Sequence, residues 1–145
     1  AAQLHDLGKV GISDHIINKR CKLTLEEFEV MKTHTIIGYD ILKNRSSKYL
    51  KKGSIVALSH HERYDGLGYP NGLKGNEIPI EGRIVAIADV FDALLMKRSY
   101  KNSWSIEEVI DYIKEKRGTQ FDPYLVDRYI DNIEEIRRIS YEFKD

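Results

Sequence analysis

The chain has 145 residues, 41% hydrophobic and 32% charged, and its 23 basic and 23 acidic side chains cancel to zero net charge. That length suits one domain, residues 1–145, with its own core, and the cancelled charge excludes a dedicated binder of nucleic acid polymers. No apolar run approaches a membrane span, and the single Cys21 excludes an internal disulfide or a cysteine-based zinc site, so the cytoplasm is the expected setting.

Ala1 to Leu7 reads as the last turns of a helix stopped by Gly8, followed by a short connection to Asp14 and a brief apolar segment from His15 to Lys19. Thr24 and Glu27 then form a capping box, T-x-x-E. Phe28, Met31, Thr35, Gly38 and Leu42 recur at helical spacing behind it, which predicts one helix to about Asn44 with His34 at the edge of the apolar stripe. Ser46 or Ser47 caps the next helix, which runs to His60 and His61, and Gly53 marks a break within it.

From Tyr64 to Glu81 comes an 18-residue loop with four glycines and two prolines. Loops of that length in compact domains are usually functional. Gly82 to Met96 is a strongly apolar helix in which Asp89 and Asp92 share a face. Ser105 and Glu108 make a second capping box for a helix ended at Gly118. Asp122-Pro123 opens a last helix whose stripe runs from Leu125 through Ile133 to Ile136. No alternating strand pattern occurs. The expected class is all-α, a helical bundle of about five to six helices.

The metal-capable side chains in apolar or turn contexts are His5, Asp6, His34, His60, His61 and Asp89, spread over four segments. Four imidazoles and two carboxylates without a thiolate suit iron, manganese, zinc, cobalt or nickel. Six ligands are more than one catalytic ion takes, and match two ions bridged by a carboxylate. Taken singly, a buried histidine is more often a hydrogen-bonded core residue, and Asp89 within IVAIADVF has an ion-paired reading as well as a ligating one. It is the agreement of four segments that favours a metal centre.

The motifs HDLGK from His5, KLTLEEFEVMKTHTIIG ending at Gly38, HHERYDGLGYP from His60, RIVAIADVFDAL from Arg83, RSYK from Arg98 and GTQFDP from Gly118 stand in this order. Together they resemble the HD-GYP family, a branch of the HD metal-dependent phosphohydrolases. The resemblance implies an all-α, HD-domain-like fold and a bacterial signalling enzyme that hydrolyses cyclic di-GMP to the linear dinucleotide or GMP. It implies a di- or trinuclear centre, commonly iron and sometimes manganese, held by His5, Asp6, His34, His60, His61 and Asp89, with Asp6 as bridge. Asp6 and Lys9 become the catalytic pair, Lys9 on the scissile phosphate. Tyr69, Arg98 and Lys101 become substrate contacts. Glu62 and Asp92 are expected to orient the ligands.

Ser13 and Ser99 stand where the family usually has proline. The family also carries a further ligand helix ahead of the HD pair, so the expectation is a chain lacking that helix, with incomplete metal loading, weak activity and an apolar groove covered in a homodimer. Two alternatives stay open. One is a catalytically incomplete module whose Gly68-Tyr69-Pro70 loop docks a diguanylate cyclase domain. The other is a phosphohydrolase of another nucleotide.

Overall fold

A computed structural model describes residues 1–95 and 104–142. Among them are eight α-helices: α1 (Asp14–Ile17), α2 (Leu25–Lys32), α3 (His34–Leu42), α4 (Lys48–Ser59), α5 (Ile80–Leu95), α6 (Ile106–Glu115), α7 (Pro123–Asp131) and α8 (Ile133–Glu142). Three 3₁₀ turns join them, Ala2–Leu4, Leu7–Gly11 and Gly75–Glu77, and no strand occurs among the described residues. The all-α expectation therefore holds, with more helices than the expected five or six.

The extra helices come from breaks that side chains create. The helix expected from Thr24 to Asn44 is two helices. Both halves of its Thr24–Glu27 capping box are present. At the break the Thr33 hydroxyl donates to the Val30 carbonyl at 2.6 Å, His34 Nδ1 bonds the Met31 carbonyl at 2.7 Å, and the Thr35 hydroxyl donates to Lys32 at 2.9 Å. Three consecutive side chains thus take carbonyls of the preceding turn, which competes with the helical ladder. The last predicted helix likewise divides at Asn132, whose side-chain amide donates to the Arg128 carbonyl at 2.8 Å.

Two glycines act differently from expectation. Gly8 does not stop a helix; it lies inside the Leu7–Gly11 turn. A Cβ there would stand 1.8 Å from the His34 carbonyl oxygen and 2.5 Å from the Gly38 amide, so the turn is pressed against the start of α3. Gly53 does not break α4. Its missing side chain makes room for Leu4, whose Cδ1 would be 2.6 Å from a Cβ. These contacts hold the HD segment against α3 and α4, which also pack on each other.

A second core lies between α5, α6 and α7, where Ile87, Val109, Ile113, Phe121 and Val126 are buried. The Ser105–Glu108 box and the Asp122 cap, accepting from Tyr124 N at 2.8 Å, start α6 and α7 as their sequences predict. Asp122 also pairs with Arg83 of α5, which reaches Asn76 in the long loop at 2.9 Å. That loop is pinned again where Tyr64 N and Asp65 N donate to Gln120 and Thr119. The polar contacts thereby fix α5, and with it Asp89, against the loop and α7.

Candidate metal centre

The six expected ligands converge from four segments. His5 and Asp6 sit between the first two 3₁₀ turns, His34 at the first position of α3, His60 and His61 just past the end of α4, and Asp89 in the middle of α5. Ring nitrogens of His34, His60 and His61 all lie within 4.8 Å of one another. His5 Nε2 stands 3.3 Å from Asp6 Oδ2 and 3.5 Å from Asp89 Oδ1, and His34 Nε2 stands 3.5 Å from Asp6 Oδ1. Asp6 therefore faces His5 with one oxygen and His34 with the other.

The hydrogen bonds decide which nitrogen each ring offers. Nδ1 of His5 bonds the Ala2 carbonyl at 2.8 Å, and Nδ1 of His34 bonds Met31. Nδ1 of His60 bonds Val56 at 3.0 Å and Ala57 at 3.1 Å. A carbonyl only accepts, so each Nδ1 carries a proton, and in the neutral rings of His34 and His60 Nε2 presents a lone pair. Nε2 of His34 and Nε2 of His60 nevertheless face each other at 3.5 Å. A cation between or beside two acceptors so placed would relieve their repulsion. Separations of 3.3–3.5 Å among donor atoms are close to the ~3 Å expected for adjacent ligands about 2.1 Å from one ion. The residues present fit a metal centre.

Electrostatics point the same way. Burial lowers the pKa of His34, pushes His60 down to about 4 and, with the neighbouring His60, His61 to about 3. Three imidazoles are thus neutral, the form that ligates. His5 is the opposite case: hydrogen bonds to Asp6 and Asp89 raise it to about 10. Burial would raise Asp6, but His5 and Lys9 outweigh it and hold the carboxyl below its ordinary range. His5 holds Asp89 low as well. Two ionised carboxylates beside neutral imidazoles attract positive charge, which here falls on His5 and Lys9.

Lys9 Nζ sits 2.6 Å from Asp6 Oδ2. Tyr69 stacks on His61, with ring centroids 4.8 Å apart and planes 29° off parallel. Its amide donates to the His61 carbonyl at 3.2 Å. A Cβ on Gly68 would lie 2.3 Å from Arg63 N, so only glycine lets the loop fold onto the histidine backbone. Glu62 was expected to orient a ligand. Its carboxylate, 3% exposed, is engaged by the loop, accepting from Asn71 N at 2.8 Å and Leu73 N at 3.0 Å. Asp92 is exposed on α5. Arg98, Ser99 and Lys101 lie outside the described residues.

A cavity of about 330 Å³ opens beside the cluster, lined by His60, His61, Asp89, Tyr69, Phe28 and Lys32 among others. Sequence reasoning assigned Phe28 to the apolar stripe and passed over Lys32. Their spacing of four, which puts both on one helix face, was the available signal.

Residues 1–125 match the family described as "HD domain". The chain is 47% identical over 143 residues to the cyclic di-GMP phosphodiesterase response regulator RpfG of Xanthomonas campestris pv. campestris, covering 99% of this chain and 38% of that protein. It is 48% identical over 145 residues to a cyclic di-GMP phosphodiesterase of Thermotoga maritima, covering 100% of this chain and 39% of that one. It is 42% identical to the 3'3'-cGAMP-specific phosphodiesterase 2 of Vibrio cholerae, covering all of this chain and 28% of that protein. The crystal structure of the V. cholerae cyclic GMP-AMP specific phosphodiesterase V-cGAP3 superposes with a TM-score of 0.65 at 26% identity, over 94% of this chain and 37% of that one. The chain thus spans less than two fifths of the length of these relatives. No helix among the described residues is long and apolar enough to cross a membrane.

Proposed function

The chain belongs to the HD domain family, in its HD-GYP branch, and on that premise we propose that it is the hydrolytic domain of a metal-dependent cyclic di-GMP phosphodiesterase working in the cytoplasm. The observation that carries this reading is the facing pair of Nε2 lone pairs on His34 and His60, 3.5 Å apart, with both Nδ1 atoms tied to carbonyls. His5, Asp6, His34, His60, His61 and Asp89 would hold the metal ions, with iron or manganese first and zinc, cobalt or nickel as the other candidates. Metal ions bound there supply Lewis acidity to a phosphoryl oxygen and acidify water.

The chain's own groups do the rest. The carbonyl-tethered Nδ1 atoms keep the imidazoles in one tautomer and orientation. Lys9, on the open side of Asp6 and 42% exposed, offers its ammonium to the charge that builds on the phosphoryl oxygens. Tyr69 walls His61 off from solvent on its stacked side. Arg98 and Lys101, outside the described residues, are the proposed phosphate contacts. Leu67, 79% exposed in the same loop, offers an apolar contact to a diguanylate cyclase domain.

A second reading keeps the chemistry and changes the substrate to 3'3'-cGAMP, because a relative at 42% identity is named for it. The test is turnover by protein loaded with Mn(II), or anaerobically with Fe(II), on cyclic di-GMP and 3'3'-cGAMP, with products resolved by chromatography. Cyclic di-GMP is expected to disappear faster, and Asp6→Ala to abolish turnover. Metal-loaded protein that leaves both dinucleotides intact would refute the reading.

A further inference from the structure

We propose that Phe28, Lys32 and Tyr69 form a purine subsite next to the metal cluster, in which the two rings hold the base and the Lys32 ammonium selects guanine over adenine. The inference deepens the hydrolase reading above and rests on it for the nucleotide character of the ligand.

The three residues come from two elements that meet only in the fold. Phe28 and Lys32 stand one turn apart on α2, and Tyr69 comes from the loop after His61. The Phe28 and Tyr69 rings are 6.1 Å apart and nearly perpendicular, at 83°. Lys32 Nζ sits in the angle between them, 5.5 Å from one ring centroid and 5.6 Å from the other. All three line the cavity that His60, His61 and Asp89 also line. A ligand that fills it touches the cluster with one end and the rings with the other. Its ~330 Å³ is at the lower end of ligand pockets, about 300–1,000 Å³, and matches one nucleotide unit of a dinucleotide.

Chemistry divides the labour among the three. Phe28 is 43% exposed, a large apolar face open at the cavity mouth. Tyr69 is backed by His61 and so is held as a fixed wall. Aromatic faces stack on any base and supply affinity without selectivity. Lys32 is a pure donor with three N–H groups. Its ion pair with Glu29 at 2.6 Å engages one side of the ammonium. Guanine presents two acceptors on one edge, O6 and N7, and a lysine satisfies both. Adenine presents N7 beside an amino donor, which opposes the ammonium. Discrimination of about tenfold to a hundredfold is the ordinary yield of such a contact.

The test is calorimetric titration of the Mn(II)-loaded protein with GMP and with AMP, neither of which has a diester to cleave. Wild type is expected to bind GMP about tenfold or more tighter than AMP. Lys32→Met keeps the apolar stem and should bring the ratio close to one by weakening GMP alone. Lys32→Arg should restore the preference, and Phe28→Ala should weaken both nucleotides alike. Metal content and Tm of each variant check that the fold is intact. Equal binding of GMP and AMP by wild type, or an unchanged ratio in Lys32→Met, would overturn the inference. A protein that leaves cyclic di-GMP intact but loses its GMP preference in Lys32→Met would retain this subsite and lose only the assigned reaction.

Discussion

Replacing Glu62 with glutamine tests whether this carboxylate is the anchor of the loop over the metal cluster. The side chain is 3% exposed and spends both oxygens on backbone amides, Asn71 at 2.8 Å and Leu73 at 3.0 Å. Hydrogen bonds to a charged acceptor contribute about 1.5–3 kcal/mol each. Glutamine keeps one oxygen, now neutral, and turns an amino group toward the other N–H. One charge-assisted bond is lost, the other is weakened, and a donor is left facing a donor. The expected cost is about 2–4 kcal/mol, or a fall in Tm of about 5–15 °C for a chain of this size. Hydrogen exchange locates the damage: the amides of Asn71 and Leu73 should lose protection, while those of α6 and α7 exchange as before once global stability is taken into account. Metal content should persist, since Glu62 is not among the six converging ligands. A Tm within about 1 °C of wild type, with both amides still protected, would refute this account of the loop.

The other predictions concern the supports of the site and the cluster itself. Gly8→Ala places a Cβ 1.8 Å from the His34 carbonyl; urea unfolding should show a loss above about 4 kcal/mol, with metal uptake impaired because His5 and Asp6 move away from His34. Gly118→Ala is the control, a positive-φ position (78°) with open space around it, expected to cost about 1–2 kcal/mol and to leave metal content unchanged. Asp122→Ala strands the largely buried Arg83 and removes the α7 cap, a loss of about 3–5 kcal/mol by the same unfolding assay, whereas Asp122→Asn retains the cap and should cost less. Removing the metals with a chelator should lower Tm, and titrating Mn(II) back should raise stability by about 2.7 kcal/mol at a hundredfold excess over Kd; a Tm indifferent to chelator would contradict a metal centre at His34 and His60.

What could be read from the sequence was what neighbouring residues decide among themselves. The Thr24–Glu27 and Ser105–Glu108 boxes and the Asp122-Pro123 start are contacts within one turn, and each is present in the structure as expected. The apolar run from Gly82 announced α5, and the order of the motifs named the family. Thr33, by contrast, looked like one more helical residue. Its hydroxyl, the His34 ring Nδ1 and the Thr35 hydroxyl instead take the carbonyls of the preceding turn, ending α2 and placing His34 at the start of a new helix.

Tertiary structure alone decided the rest, because it depends on groups far apart in the chain. Gly53 and Gly8 have the same local signature as helix breakers, and only the approach of Leu4 and of α3 shows that they are sites of contact. Glu62 sits beside two ligands in sequence, yet its partners are Asn71 and Leu73. Phe28 and Lys32 became candidate substrate contacts only when the loop brought Tyr69 over α2. Residue types and spacing determined which side chains could ligate. Packing of the 3₁₀ turns, α3, α4 and α5 determined that His5, Asp6, His34, His60, His61 and Asp89 are brought into one cluster of adjoining side chains, since convergence is a property of the long-range contacts and no local rule contains it.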